Sequence, residues 1–230
     1  MNAERIAKVL GSSDLFQGLD EQTLLKVAER CIDRTYKKGQ LIFHQGDPGE
    51  SLFLVAEGLV KVLLPSPEGG EMVLVTFEPP SSFGELALLD GGPRSASAEA
   101  VEDTKLIVLT RATMLDLLRE HPELADLLLS ALGRIIRRLT EQASDLVFLD
   151  LHGRVAKLLI SLAHDRGEAT EEGLVLDLHL TQTDLASMVA GSRQSVNQIL
   201  RGFEARGYLE LRGRTIVLKK SDSLRRRAGM

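Results

Sequence analysis

Between Tyr36 and Leu109 the chain is a succession of short apolar segments separated by glycine-rich turns. The segments at residues 52–56, 59–64 and 72–77 each have the length of one β-strand, and turns at residues 45–49 and 67–70 border them. Many short strands joined by such turns favour a sandwich or barrel, in which strand edges are paired or protected. This region therefore predicts a β jelly roll, preceded by short helices within residues 4–32.

Helical patterns dominate the rest of the chain. A helix is expected at residues 112–120, a long one from Leu124 to about Leu149, and a third at residues 155–163 after a hinge at residues 150–154. A strand at 174–178, helices at 184–189 and 193–206, and a hairpin at 208–218 complete the prediction. The fold class is α+β, with an N-terminal β-barrel domain (1–121), a long dimerisation helix and hinge (122–150) and a C-terminal winged helix-turn-helix domain (151–230).

Charge is distributed unevenly along the chain. Residues 1–150 carry 15 Lys/Arg against 24 Asp/Glu, a net charge of −9, whereas residues 151–230 carry 13 against 9, a net +4. Residues 181–230 alone reach +6, from 10 Lys/Arg and 4 Asp/Glu. A basic C-terminal module within an acidic chain is typical of a domain that binds a phosphate backbone.

Composition also excludes several classes of protein. The sequence has no run of about 18 apolar residues and no basic-then-apolar N-terminus, so we expect a cytoplasmic protein without a membrane span. The single cysteine, Cys31, excludes a disulfide within the chain and a four-cysteine cluster. The five histidines are scattered without a close metal-binding pair or a nucleophile motif, so we expect neither a catalytic site nor a bound metal.

Residues 83–96 combine the groups that recognise a phosphodiester on a ribose. Gly84 permits close approach of backbone to a ligand, and the Glu85 carboxylate accepts hydrogen bonds from hydroxyl groups. A glycine-rich turn at residues 91–93 precedes Arg94 and Ser95, which supply a cation, a hydroxyl and backbone N–H groups. Because the planar guanidinium can bond two phosphate oxygens at once, Arg94 suits the anion and Glu85 the sugar.

This segment resembles the phosphate-binding cassette of the cyclic-AMP receptor protein family of bacterial transcription factors, and the resemblance extends from about Leu15 to Leu218. It implies a cyclic-nucleotide effector, with cyclic AMP favoured and cyclic GMP as the alternative. Family members also contact the base through adjacent Thr and Ser residues on the long helix, where this chain has Leu139 and Thr140. The implied ligand contacts are Phe83, Gly84, Glu85, Leu86, Arg94, Ser95, Ala96, Leu139 and Thr140.

Apolar residues on the long helix recur at spacings of about four and three, as in a coiled coil. A second apolar face is also present, and it includes Leu129 and Ile136. We interpret one face as packing on the barrel and the other as the seam of a parallel homodimer; the alternative is packing within one chain only. The predicted seam residues are Leu128, Leu132, Ile135, Leu139, Gln142 or Ala143, and Leu146.

Residues 180–200 have the form of a helix-turn-helix, in which the start of the second helix reaches base edges in the DNA major groove. Arg193 suits guanine, and the amides of Gln194, Asn197 and Gln198 suit adenine. Compared with the family pattern that the segment resembles, Gln194 replaces a Glu and Gln198 replaces a common Arg, so we do not expect the family's usual operator. The predicted DNA contacts are Thr181, Gln182, Ser192, Arg193, Gln194, Ser195, Asn197, Gln198, Arg212 and Arg214.

The sequence thus predicts a homodimeric, cyclic-nucleotide-responsive transcription regulator that binds a palindromic site on double-stranded DNA, with RNA polymerase as a further partner. Two alternatives stay open. One is the same fold with cyclic GMP or another effector, and the other is constitutive DNA binding with a vestigial pocket. In the favoured mechanism the bound nucleotide selects one register of the paired long helices and so orients the two recognition helices.

Overall fold

The computed structural model describes residues 1–65, 71–178 and 180–230, so the turn predicted at 67–70 lies outside the described residues. The chain forms two compact units, Met1–Arg137 and Arg138–Met230. The first unit contains a β-sandwich with flanking helices, and the second contains a helix-turn-helix with a small sheet. The α+β class and the jelly roll predicted from the sequence are confirmed.

The strands of the first unit form two four-stranded sheets, with orders β1-β8-β3-β6 and β2-β7-β4-β5. All of the described pairings in these sheets are antiparallel. The strands are β1 (Ile32–Tyr36), β2 (Leu41–Phe43), β3 (Ser51–Glu57), β4 (Val60–Pro65), β5 (Glu71–Phe77), β6 (Ser82–Phe83), β7 (Ser97–Ala100) and β8 (Thr104–Thr110). The helices are α1 (Ala3–Ser12), α2 (Glu21–Glu29), α3 (Glu85–Asp90), α4 (Arg111–Glu120) and α5 (Glu123–Phe148), which continues into the second unit.

The apolar side chains of β3 alternate between two layers of the core of this unit. Phe53 and Val55 belong to an apolar cluster with Phe83 of β6, whereas Leu52 and Leu54 belong to a second cluster that includes residues of α1, α2, α4 and α5. Successive strand residues point to opposite faces, so one strand supplies both layers. The consequence for function is that α3, whose Leu88 lies in the second cluster, is packed against the same layer as α4 and α5.

In the second unit, the sheet has the order β11-β12-β10-β9, and the helix-turn-helix is formed by α7 and α8. Thr181 and Asp184 form a capping box at the start of α7, in which each side chain accepts a hydrogen bond from the other residue's backbone N–H. The elements are α6 (Leu151–Arg166), β9 (Glu168–Thr170), β10 (Gly173–Asp177), α7 (Gln182–Met188), α8 (Arg193–Ala205), β11 (Leu209–Arg212), β12 (Thr215–Leu218) and α9 (Ser221–Arg227).

The predicted hinge at residues 150–154 is shorter in the structure. Asp150 is the N-cap of α6, and its carboxylate accepts the Gly153 N–H at 2.8 Å, so residues 151–154 are helical. Helix α9 was not predicted. Its Leu224 is completely buried, and Arg227 forms an ion pair with Asp150. The basic C-terminal segment therefore folds back onto the start of α6.

The predicted seam on α5 is wrong at Leu128. Leu128, which was assigned to the seam, is only 4% exposed and lies in the core with Leu124. The exposed apolar side chains instead include Leu129, Ile136 and Leu139. With the small or half-buried residues between them, they line one face of α5 at spacings of three and four, and this face is the corrected candidate seam: Leu129, Leu132, Ile136, Leu139, Ala143 and Leu146. Leu132, Leu139, Ala143 and Leu146 were already among the predicted residues.

Candidate functional site

The candidate ligand site is built around α3, a six-residue helix bounded by two glycines in the left-handed conformation. Gly84 has a φ of 86° and Gly91 a φ of 70°, a conformation that other residues adopt only with strain. Gly84 is also required for space, since a Cβ there would lie 2.7 Å from Nη1 of Arg94. The glycines predicted to border a cassette therefore fix the direction of α3 and bring Arg94 against its N-terminus.

Arg94 is buried, with 5% of its surface exposed. Its Nη1 donates to the carbonyl oxygen of Gly84 at 2.9 Å, and its Nη2 donates to that of Ser51 at 2.7 Å. Its Cζ lies 4.2 Å from the ring centroid of Phe43, within the range of a cation–π contact. Burial lowers the pKa of the guanidinium, an effect that the nearby carboxylates of Glu85 and Asp47 oppose. The cation is therefore held in one position by neutral groups.

Two polar atoms in this region are buried without a hydrogen-bond partner among the described residues: Nε of Arg94 and Oε2 of Glu85. A buried polar atom without a partner costs about 1–3 kcal/mol, so such atoms are uncommon and call for an explanation. Here one atom is a cationic donor and the other is a carboxylate acceptor. A ligand with an anionic oxygen and a hydroxyl group could satisfy both, which fits the phosphate and ribose of a nucleotide.

The pKa of Glu85 is raised, mainly because burial disfavours the charged carboxylate; its own backbone N–H and the charge of Arg94 act in the opposite direction. When the pKa of a carboxyl is higher in the folded than in the unfolded chain, its contribution to stability is present at low pH. That contribution is lost as the pH rises through the folded-state pKa. At neutral pH the buried carboxylate of Glu85 therefore lowers the stability of the folded chain.

The other predicted ligand residues differ in exposure. Phe83 and Ala96 are buried, and Phe83 stacks on Phe53 with ring centroids 5.3 Å apart. Ser95 is exposed, and Leu86 is 40% exposed. Leu86 lies in α3, and the other three residues lie before or after this helix in the first unit. Leu139 and Thr140 lie on the part of α5 that belongs to the second unit, and both are exposed.

The candidate DNA-binding surface begins at the N-terminus of α8. Ser192 is the N-cap, and its hydroxyl accepts the N–H of Ser195 at 3.0 Å. The side chains of Arg193, Gln194 and Gln198 are exposed beyond this cap. Buried contacts on the opposite face come from Val196, Ile199, Leu200 and Phe203, which orient the helix. Three of the predicted base-reading side chains are therefore brought together on one accessible end of α8.

Besides Thr181, Ser192 and Ser195, whose hydrogen bonds cap α7 and α8, other predicted DNA contacts have partners within the domain. Asn197 donates from Nδ2 to Oε1 of Gln182 at 3.1 Å, which ties α8 to the start of α7. Arg212 donates to carboxylates of Glu210 at 2.7 Å and Glu172 at 2.6 Å, and these hydrogen bonds raise its pKa further. A phosphate contact from Arg212 would therefore replace existing ion pairs. Arg214 is exposed on the same hairpin.

Arg201 and Gly191 are two residues of this motif that the sequence analysis did not single out. Arg201 is exposed on α8, three residues after Gln198 and four after Asn197, so it lies on the same helical face. Helical spacing alone would have indicated it. In the turn between α7 and α8, the left-handed residue is Ala190, with a φ of 50°, and not Gly191. Gly191 is instead needed for space, because a Cβ there would lie 2.8 Å from Cδ1 of Leu151.

Three further features of the described residues bear on metal binding, membrane crossing and thiol chemistry. Within residues 1–65, 71–178 and 180–230, no group of three or more His, Cys, Asp or Glu residues is arranged to hold a metal ion. None of the helices in these described ranges has the length and apolarity needed to cross a membrane. Cys31 is partly buried, and its burial raises the thiol pKa to about 12, so it is an unreactive packing residue.

Comparisons with known proteins agree with this arrangement. Residues 33–121 match the family described as Cyclic nucleotide-binding domain, and residues 153–227 match the family described as Crp-like helix-turn-helix domain. A "CRP-like cAMP-activated global transcriptional regulator" of Mycobacterium tuberculosis is 33% identical over 223 residues, covering 96% of this chain and 99% of that protein. The "Cyclic AMP receptor protein" of Thermus thermophilus is 34% identical over 212 residues, covering 92% of this chain and 95% of that protein.

A solved structure gives the same picture for the fold. The regulator CLP of Xanthomonas campestris, which is described as c-di-GMP responsive, superposes with a TM-score of 0.76 over 86% of this chain and 99% of its own. Its sequence identity is 24%, so this likeness concerns the architecture alone.

The pKa of Glu85 leads to a prediction for the ligand-free protein. Glu85→Gln should raise the unfolding midpoint near neutral pH, because the amide avoids the cost of a buried charge, and the gain should shrink as the pH falls toward about 4.3. Thermal unfolding between pH 4.5 and 8 measures this difference. Glu29→Gln, at an exposed carboxylate of the same unit, is the control. A pH-independent difference between Glu85→Gln and the parent would contradict the raised pKa.

Proposed function

This chain belongs to the cyclic-AMP receptor protein family, and we propose that its effector is cyclic AMP, bound with the phosphate on Arg94 and the ribose on Glu85. The membership rests on the 33% identity over nearly the whole chain and on the two matched domains. The protein is a cyclic-nucleotide-responsive transcription regulator that binds DNA through its helix-turn-helix. Its relatives are transcription regulators, and we infer no catalytic activity.

The observation that carries the proposed ligand contacts is the pair of buried atoms without partners, Nε of Arg94 and Oε2 of Glu85. Two of the five N–H groups of the Arg94 guanidinium donate to carbonyls, so three, among them the Nε–H, are left for an anion. A vestigial pocket is less well supported, because burying these groups without a ligand only destabilises the protein. We regard the helix α3 and Arg94 as a preformed site.

The choice of cyclic AMP over other nucleotides rests on the named relatives. The Mycobacterium tuberculosis and Thermus thermophilus proteins both carry cyclic AMP in their names, and each is at least 33% identical to this chain. The c-di-GMP-responsive regulator from Xanthomonas campestris has the same architecture, so the fold alone does not determine the effector. Cyclic GMP and cyclic di-GMP are therefore the competitors that a titration must include.

Calorimetric titration of the purified protein with cyclic AMP, cyclic GMP and cyclic di-GMP tests the effector. Arg94→Lys should weaken cyclic AMP binding by about 1.5–3 kcal/mol, roughly ten- to hundredfold, because an ammonium lacks the planar set of donors. Arg94→Ala is less informative, because it also removes the partner of the Ser51 and Gly84 carbonyls. Arg34→Lys, at an exposed position of β1, is the matched control. Unchanged affinity in Arg94→Lys would place the ligand elsewhere.

We also propose that the protein is a parallel homodimer joined by α5. In the corrected seam, the heptad positions a are Leu129, Ile136 and Ala143, and the positions d are Leu132, Leu139 and Leu146. Leucine at d with a β-branched residue at a favours two parallel strands. Leu139 thus belongs to the seam, and Thr140, at the flanking position e, is placed to contact the base bound by the partner, as the family resemblance implies.

The adjacent residues Leu139 and Thr140 should therefore have separable roles. Leu139→Ala should weaken the dimer by about 2 kcal/mol or more, roughly thirtyfold in the dissociation constant, because it leaves a cavity in the seam. Thr140→Ala should leave dimer affinity nearly unchanged and weaken cyclic AMP binding. Sedimentation equilibrium and calorimetry distinguish the two effects. A dimer as tight in Leu139→Ala as in the parent would refute the seam.

For DNA, we propose that the dimer binds a two-fold-symmetric site, with base contacts from Arg193, Gln194 and Gln198 and phosphate contacts from Thr181, Gln182 and Arg214. The two recognition helices would then lie about one turn of DNA, roughly 34 Å, apart. Asn197 acts mainly by holding Gln182, and Arg201 extends the basic face of α8. RNA polymerase is a proposed partner on the basis of family membership alone.

Selection from random duplexes tests the DNA-binding surface. We expect a palindrome, and Arg193→Ala should cost about 1–3 kcal/mol per half-site and relax the preference for one guanine. Gln194→Glu should change the preferred base at the neighbouring position. Binding should weaken steeply with added salt, because phosphate contacts release counterions. As a control, Arg225→Ala on α9 should leave the base preference intact. A palindrome indifferent to Arg193→Ala would exclude this use of α8.

A further inference from the structure

Helix α3 is held by an arginine at each end. At its N-terminus, Arg94 donates to the carbonyl oxygen of Gly84, and near its C-terminus Nε of Arg111 donates to the carbonyl oxygen of Leu88 at 2.8 Å. The Arg111 guanidinium also lies beside the glycine that ends the helix, because a Cβ at Gly91 would be 3.5 Å from its Nη2. A cation and a donor at the last carbonyls of a helix stabilise that terminus. Arg94 is the proposed ligand contact, whereas Arg111 takes no part in the proposed ligand contacts.

Arg111 is also the first residue of α4, at the point where β8 ends. Its own N–H donates to the carbonyl oxygen of Glu50 at 2.8 Å, next to Ser51, whose carbonyl accepts from Arg94. The preceding residue, Thr110, is the N-cap of α4. One residue thus links the C-terminus of the ligand-site helix, the start of β3 and the start of α4.

The apolar contacts of α3 also connect it to α4. Leu88, whose carbonyl accepts from Arg111, is completely buried in the cluster that contains Met114 and Leu117 of α4 and Leu124 and Leu128 of α5. On the other side of α3, Gly49 approaches so closely that an added Cβ would lie 2.0 Å from Cβ of Ala87. Helix α3 therefore has little freedom to shift without moving either the Gly49 loop or α4.

We propose that Arg111 is the positioning residue that transmits the position of α3 to α4, and thereby couples effector binding to the dimer helix α5. The proposal rests on the proposed function, because it assumes that the effector binds at Arg94 and Glu85. Binding at the N-terminus of α3 shifts or orders this short helix. The hydrogen bond from Arg111 to Leu88 makes the start of α4 follow it, and α4 leads through His121 and Pro122 directly into α5.

The packing of Leu88 alone is a weaker means of coupling. Apolar contacts are not directional and permit α3 to slide over α4, whereas a hydrogen bond from a guanidinium fixes both distance and direction. Another side chain at position 111 that can donate a hydrogen bond should therefore preserve part of the coupling. An apolar side chain of similar length should abolish it while keeping the packing.

The test uses the full-length protein and three variants, Arg111→Met, Arg111→Lys and Arg111→Gln. For each, DNA affinity is measured without and with saturating cyclic AMP, together with cyclic AMP affinity and the thermal midpoint. We expect Arg111→Met to reduce the effector-induced gain in DNA affinity at least tenfold, with DNA affinity in the absence of effector and cyclic AMP affinity within about threefold of the parent. Arg111→Lys should restore part of the gain.

Arg119→Met is the matched control, since Arg119 is an exposed arginine of the same helix that pairs with Asp116. If Arg111→Met lowers only the thermal midpoint and leaves the effector-induced gain unchanged, Arg111 is structural and the proposal is overturned. If Arg111→Met does not fold, Arg111→Leu takes its place, and an undiminished gain in that variant overturns the proposal equally. Arg111→Gln, whose amide can still donate to the Leu88 carbonyl, should keep part of the gain. If the parent protein itself binds no cyclic nucleotide, the proposed function fails first and the coupling proposal fails with it.

Discussion

The buried guanidinium of Arg94 is the interaction on which the organisation of the first unit depends. A charge without partners is expensive in a protein interior, so the surrounding residues are arranged to tolerate it. Carbonyls of Gly84 and Ser51 and the ring of Phe43 hold it in place, and Gly84 must lack a side chain to leave room for it. These partners are neutral. The guanidinium is therefore fixed in position by neutral groups, while the nearby carboxylates of Glu85 and Asp47 favour its charged form.

The second unit is organised by a comparable set of fixed cations near the end of α5. Arg154 donates to the carbonyl oxygens of Leu149 and Val189, Lys157 pairs with Asp145, and Arg227 of α9 pairs with Asp150. These contacts join the last turn of α5 to α6, α7 and α9. A rotation of that turn would therefore move the helix-turn-helix as one body. In the coupling that we propose, the effector would change the geometry of α5, and these contacts would carry that change to the helix-turn-helix.

Local signals in the sequence predicted much of this, and tertiary contacts decided the rest. The glycines around α3 act on the backbone of neighbouring residues, so the sequence alone indicated them. Helix α9 has one buried leucine among arginines, and only its packing on α6 makes it a helix of the core. The two apolar stripes of α5 have similar spacings, so sequence could not tell that Leu128 faces the barrel domain's core. Arg212 is separated from Glu172 by 40 residues, and its ion pair was equally hidden.

The corrected seam changes how the departure at Leu139 is understood. A hydroxyl at that position would serve the base of the nucleotide, whereas leucine at a d position serves the dimer. In the proposed dimer, Leu139 therefore gives up a hydrogen bond to the base of the ligand and adds apolar contact between the subunits. If Thr140 completes the partner's site, as we propose, effector binding and dimerisation are thermodynamically linked, since each favours the other by the same free energy. A stronger seam then assembles the ligand site before the effector arrives, and the effector's free energy is left to orient the DNA-binding units.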